Sequence, residues 1–249
     1  MATEASGSEL VRSLVERTVF TPVRQGSAVA ETVARLGQAI GMGLLRPGDR
    51  LPPETRLAEE LGISPVTLRS ALGILRGAGL LETQRGRVGG TFVTETAGSA
   101  TLPIDKPLPS EPELRDLADE RGVVEGGTAA LAAQRATPEQ LEELVRLVAR
   151  MEGTHAYEPW SATDTLFHLL IADASGSQRL VSRVADLRSE VYRITRHVPT
   201  PRETVELADR EHREILQALQ TRRPERARIA MVRHVESTRA LWLGLGRVA

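Results

Sequence analysis

Past residue 110 the chain opens one segment after another with the same signal, and that signal favours helix over anything else. Ser110 with Glu113, Thr137 with Gln140 and Thr200 with Glu203 each set a hydroxyl residue three positions before a Glu or Gln. At that spacing the two side chains cap each other's backbone N–H groups at a helix start. Pro112, Pro138 and Pro201 fall in the same first turns, where a missing N–H costs nothing. Strand signals are scarce there. The reading is six helices, over roughly 111–135, 138–152, 162–175, 178–196, 201–221 and 224–244, packed as an antiparallel all-α bundle.

The first part of the chain is organised differently. Residues 1–26 read as a loose leader. Val29, Val33, Leu36 and Ile40 then recur at helical spacing, and Gly41, Gly43 and the turn Arg46-Pro47-Gly48-Asp49 end that helix. A short helix carries Leu57, Ala58 and Leu61, and another starts at Ser64 with Leu68, Leu72 and Leu75. A hairpin follows, with Leu80–Thr83 and Thr91–Val93 as strands around a turn over 85–90. Residues 98–110, rich in Gly, Ser, Thr and Pro, read as a linker. The expected fold is mainly α: a winged helix-turn-helix with its leader over 1–97, then a helical domain over 111–249.

Composition removes several classes. The chain has no cysteine, so disulfides, Cys-ligated zinc and thiol catalysis are out. No apolar run is long enough for a membrane span, and Glu4, Glu9 and Glu16 interrupt the start, unlike a secretory signal. The expectation is a cytoplasmic protein with no membrane contact. A net charge of −1 argues against coating nucleic acid by charge alone, though a site-specific reader needs only a local basic face. Aromatics at 3% leave few platforms for stacking single-stranded bases.

Helix, Gly turn, helix and basic-tipped hairpin together suit double-stranded DNA. Gly62 supplies the left-handed turn between two steeply crossed helices. Ser64 is a natural cap and Pro65 a natural first helical residue. Ser64, Thr67 and Arg69 are then placed for phosphates or base edges in the major groove. Arg85, Gly86 and Arg87 form a wing tip that can enter or flank the minor groove.

The helical half has a different cluster. Asp164 and His168, four apart, share a helix face. His212 lies on the stripe Val205, Ala208, Ile215 and Leu219, and His234 on the stripe Ala227, Met231, Thr238 and Leu241. A buried neutral His needs partners for both ring nitrogens. Three on inward faces with an inward Asp suggest one shared divalent transition metal, such as Zn²⁺, Ni²⁺ or Mn²⁺. The alternative keeps them as separately satisfied core side chains, with Asp164 capping a helix three residues after Ser161.

Residues 29–93, through Leu45-Arg46-Pro47-Gly48-Asp49-Arg50-Leu51-Pro52-Pro53-Glu54, Leu57-Ala58-Glu59-Glu60-Leu61-Gly62, Thr67-Leu68-Arg69 and Gly86-Arg87…Gly90-Thr91-Phe92-Val93, resemble the GntR family of transcription regulators. The family usually carries Arg where this chain has Pro65. It often carries Arg at Thr55, beside which stands Arg56, a candidate DNA contact; the departures imply a different operator or an affinity that leans more on Arg69, Arg85 and Arg87. Residues 111–245, through Arg121…Glu125, Asp164…Phe167-His168, Ala174-Ser175-Gly176, Glu211-His212 and His234, resemble the FCD-type ligand-binding domain of the FadR subgroup. Ser177 stands where that subgroup often has Asn. The resemblance implies that Asp164, His168, His212 and His234 bind a metal at the bottom of a cavity and that a small carboxylate effector completes its shell. It also places Arg121 at the effector, where Arg would supply a two-pronged donor. A salt bridge from Arg121 to Glu125 is the competing role.

These expectations describe a homodimeric repressor on a short palindromic operator, released when its effector binds. Two other readings stay open: a metal-dependent hydrolase fused to a DNA-binding head, against which no general base in a motif such as H-E-x-x-H is found, and a dimerisation bundle without ligand.

Overall fold

A computed structural model of the chain describes residues 2–23, 28–86, 89–97, 108–154, 156–198 and 200–245. They divide into two units. One holds Val15–Pro107, the other Met1–Leu14 with Leu108–Ala249.

The leader is the first correction: Ala2–Val19 is helical (α1), with Leu14, Val15 and Val19 buried. Its apolar residues Leu10, Val11, Leu14, Val15 and Val19 keep helical spacing, but the small and polar residues ahead of them mask it.

Besides Val15–Val19 at the end of α1, the smaller unit contains α2 (Ala28–Gly41), α3 (Glu54–Leu61), α4 (Pro65–Gly77), β1 (Leu81–Gln84) and β2 (Gly90–Val93). Val33, Leu36, Leu57, Leu61, Leu68, Leu72 and Leu75 are almost wholly buried, so the three helices share one core. Gly62 ends α3 at φ 64°, a conformation that costs a side-chain-bearing residue about 1–2 kcal/mol. β1 and β2 pair antiparallel, Leu81 opposite Val93 and Thr83 opposite Thr91. The segment after the Arg46–Asp49 turn also joins this hairpin. Leu51 donates its N–H to Thr91 O and Gly48 to Val93 O, and Val93 donates to Asp49 O.

The larger unit contains α5 (Glu111–Arg135), α6 (Pro138–Glu152), α7 (Tyr157–Ala174), α8 (Gln178–Thr195), α9 (Arg202–Gln220) and α10 (Pro224–Leu245). The capping boxes at Ser110 and Thr137 form. The one expected at Thr200 does not: α9 starts one residue late, on Pro201, and Thr200 donates its hydroxyl to Val198 O. Every residue from Thr163 to Ala172 is buried, which makes α7 the central helix and explains its weak amphipathic pattern. Helices α5 and α10 approach closely at Gly126, where a methyl group would meet Val232 at 2.8 Å. Among the described residues no helix is long and apolar enough to cross a membrane. Of the expected linker, residues 98–107 lie outside the described residues.

Candidate functional site

In the smaller unit, α4 starts on Ser64, whose hydroxyl accepts the N–H of Thr67 at 3.1 Å and lies 2.8 Å from the Thr67 hydroxyl. Arg69, one turn further on, is mostly exposed; its Nε donates to Pro65 O at 3.2 Å and lies 3.9 Å from Glu54. The first turn also exposes Val66 to 69%. Arg56 is exposed too, with Glu60 at 2.7 Å and Glu16 at 3.8 Å, so part of its charge is already engaged. Arg85 and Gly86 sit exposed at the hairpin tip, with Gly86 at φ 111°. Arg87 lies outside the described residues. Arg50, overlooked in the sequence, braces the hairpin by donating to Gly89 O at 2.5 Å and lying over the Phe92 ring at 5.9 Å.

In the larger unit, Asp164 and His168 of α7, His212 of α9 and His234 of α10 are buried and converge. One ligand atom from each lies within 4.8 Å of the others. Bonds of about 2.0–2.2 Å to a common ion put ligand atoms about 3–4.4 Å apart, so the four atoms lie near coordination range. Asp164 sits in mid-helix, not at a helix start, which removes the capping role. Asp164 Oδ1 lies 3.1 Å from His212 Nε2 and 3.5 Å from His168 Nε2. Asp164 Oδ1, His168 Nε2 and both ring nitrogens of His212 are buried without a hydrogen bond. Each such orphan costs about 1–3 kcal/mol. Converging orphans of this type fit a bound divalent cation, so the residues present suit the metal that the sequence suggests.

Two carboxylates support the rings. Glu211 Oε2 lies 2.9 Å from His234 Nδ1, and its other oxygen accepts the Ser237 hydroxyl at 2.6 Å. Glu125 Oε2 lies 2.5 Å from His168 Nδ1. Burial opposes ionisation of Glu125, but the charges of Arg121 and His168 outweigh it and hold the carboxyl below its usual range. For Asp164 burial is likewise overcome, here by Arg188 and the two facing histidines. His234 is pushed down to about 4, first by burial and then by His212. It is therefore a neutral imidazole at neutral pH, the form that binds a metal.

Arg121 and Arg188 divide differently from the expectation. Arg121 is fully buried; it pairs through Nε with Glu125 at 2.7 Å and lies 5.7 Å from the Trp242 ring. It is not a wall residue of the cavity beside the histidines, so the Glu125 partnership describes its position. The cavity cation is Arg188, which bonds to Asp164 and lines a space of about 650 Å³, open mouth included, together with His234, Glu211, Trp160 and Tyr192. Sequence reasoning did not single out Arg188. It also missed Glu125 and Glu211 as His partners, although Glu125 follows Arg121 by one helical turn.

The chain matches two family descriptions: "Bacterial regulatory proteins, gntR family" over residues 28–93, and "FCD domain" over residues 116–237. It is 34% identical to the HTH-type transcriptional regulator RmpR of Mycobacterium gastri, covering 92% of this chain and 81% of that protein. It is 31% identical to the Glc operon transcriptional activator of Escherichia coli K12, over 85% and 86% of the two chains. The HTH-type transcriptional regulator LutR of Bacillus subtilis is also 31% identical, over 78% and 91%. Among solved structures, E. coli McbR/YncC has the same fold, with a TM-score of 0.56 at 22% identity over 89% of this chain and all of that one.

Proposed function

The chain belongs to the GntR family of bacterial transcription regulators and carries an FCD domain behind its DNA-binding head; from that premise we propose that it is a homodimeric repressor released from a short palindromic operator by a carboxylate effector bound at a metal. Its family makes it a DNA-binding regulator and not an enzyme. The observation that carries the finer reading is the buried convergence of Asp164, His168, His212 and His234 beside a cavity that also contains Arg188.

The work assigned to each side chain follows from its surroundings. Asp164 and the three imidazoles supply one carboxylate and three nitrogens, a set suited to Zn²⁺, Ni²⁺ or Mn²⁺. Glu211 and Glu125 hold His234 and His168 in one ring orientation, as carboxylate partners of metal-binding histidines do. A bound divalent ion supplies a positive centre for an effector carboxylate. Arg188 presents guanidinium N–H groups beside it. In the head, Ser64, Thr67 and Arg69 meet the major groove, with Arg56 on the backbone and Arg85, Gly86 and Arg87 at the wing. The protein acts in the cytoplasm, on double-stranded DNA.

Release requires that effector binds the DNA-free arrangement more tightly than the DNA-bound one. Fluorescence anisotropy with a labelled fragment from upstream of the chain's own coding region tests this. Metal-loaded protein binds the fragment, a panel of carboxylates lowers the affinity, and Arg69→Ala binds at least about tenfold more weakly. A panel that leaves affinity unchanged overturns effector control; one that raises it makes the protein a co-repressed or activating regulator. Retained affinity in Arg69→Ala contradicts the assigned recognition helix.

A further inference from the structure

The same cavity says more about its effector than that it is an acid. We propose that the effector is a carboxylate carrying an apolar body about the size of an aromatic ring, not a two- or three-carbon hydroxy acid. This rests on the reading that carboxylates bind beside Asp164 and the histidines.

The wall is the first argument. The chain has only two Trp and two Tyr, and three of these four rings, Tyr157, Trp160 and Tyr192, line this one cavity. Tyr157 and Trp160 stack with ring centres 6.0 Å apart and planes 22° from parallel. Val205, Leu207 and Leu241 add aliphatic surface. A chain this poor in rings has concentrated them where a flat apolar group would rest.

The polar atoms of the wall are the second argument, because several already donate within the protein. Trp160 donates its Nε1 to Asp209 at 2.8 Å. Thr195 donates to Val191 O at 3.0 Å, Thr238 to His234 O at 3.3 Å and Ser237 to Glu211. Hydroxyls committed in this way have spent their protons and offer a ligand acceptors but few donors. Open donor capacity gathers at one end instead. Arg188 is 4% exposed, and its Nε is buried without a partner next to Asp164. The cavity is therefore one-sided: charge at the inner end, rings and aliphatics along the rest.

Burial of the apolar wall is the third argument. A two- or three-carbon acid would reach Arg188 and leave the ring wall facing water. A ring-bearing acid removes that apolar surface from water, and its affinity rises accordingly.

Calorimetry on the full-length, Zn²⁺-loaded protein tests this with L-lactate, phenylacetate and the neutral analogue phenylethanol. Phenylacetate is expected to bind at least about tenfold more tightly than L-lactate, and phenylethanol at least about tenfold more weakly than phenylacetate. Val205→Trp, which puts an indole into the space, is expected to weaken phenylacetate by about tenfold or more; the comparison of ligands on the unaltered protein stands whether or not that variant folds. L-lactate binding as tightly as phenylacetate overturns the proposed class and leaves the carboxylate site standing. Phenylethanol binding as well as phenylacetate overturns the inner-end assignment. If neither acid binds the loaded protein, the carboxylate reading itself falls.

Discussion

Arg121 and Arg188 are both buried, yet their neighbours give them different work. Arg121 is enclosed on all sides with Glu125 as its ion partner, so Arg121→Ala leaves a buried carboxylate without its cation. We expect a loss of about 3–5 kcal/mol in folding stability, read by urea denaturation of the metal-free protein. Arg188 borders the cavity, and Arg188→Ala is expected to weaken carboxylate binding to the metal-loaded protein at least about tenfold. Glu211→Gln keeps the size of the side chain but removes the charge facing His234. Metal affinity should fall about 10–100-fold, measured by chelator competition. An unchanged affinity would show that Glu211 serves the fold alone. The convergence of these four side chains was legible in the sequence because Asp164 and His168 share a face and His212 and His234 interrupt apolar stripes. The two arginines were not separable there, since helical spacing says that a side chain is inward but not which cavity or partner it meets.

Among the elements, α4 was the easiest to foresee. Ser64 and Pro65 mark its start by local chemistry, and the Ser64 hydroxyl accepts the Thr67 N–H as that chemistry requires. Ser64→Ala is therefore expected to cost about 1 kcal/mol. Gly62→Ala, at a position held at φ 64°, should cost about 1–2 kcal/mol. Both are measured as shifts in the denaturation midpoint of the smaller unit, and a neutral Gly62→Ala would mean that the turn relaxes. Helices α5, α6 and α8 to α10 lie within one residue of their expected bounds. Three failures are instructive. At Thr200 the capping-box spacing is present, but Pro201 takes the cap position and the Thr200 hydroxyl turns back to Val198 O. The start of α7 was set too late, because Tyr157–Trp160 carries no cap residue and the helix gains its stability from burial. In α1 the apolar spacing is real but brief, and a short helical pattern behind small residues reads as leader.

At the scale of the whole molecule, the fold class and family were legible because motifs of both units are local in sequence. The cavity was not, since its wall joins α7, α8, α9 and α10 across the bundle. A ligand that binds only the folded state stabilises it by mass action, by about 2.7 kcal/mol at a hundred times its dissociation constant. Removing metal with a chelator should therefore lower the unfolding midpoint of the larger unit by several degrees, at about 2–4 °C per kcal/mol, and leave a His212→Ala variant unmoved. The most direct measurement is the metal content of purified protein, by elemental analysis after dialysis, for the unaltered chain and for a His212→Ala, His234→Ala double variant. Four converging ligands predict about one transition-metal ion per chain in the first and almost none in the second. Equal metal in both, or none in the unaltered chain even after incubation with Zn²⁺, Ni²⁺ and Mn²⁺, would contradict the account.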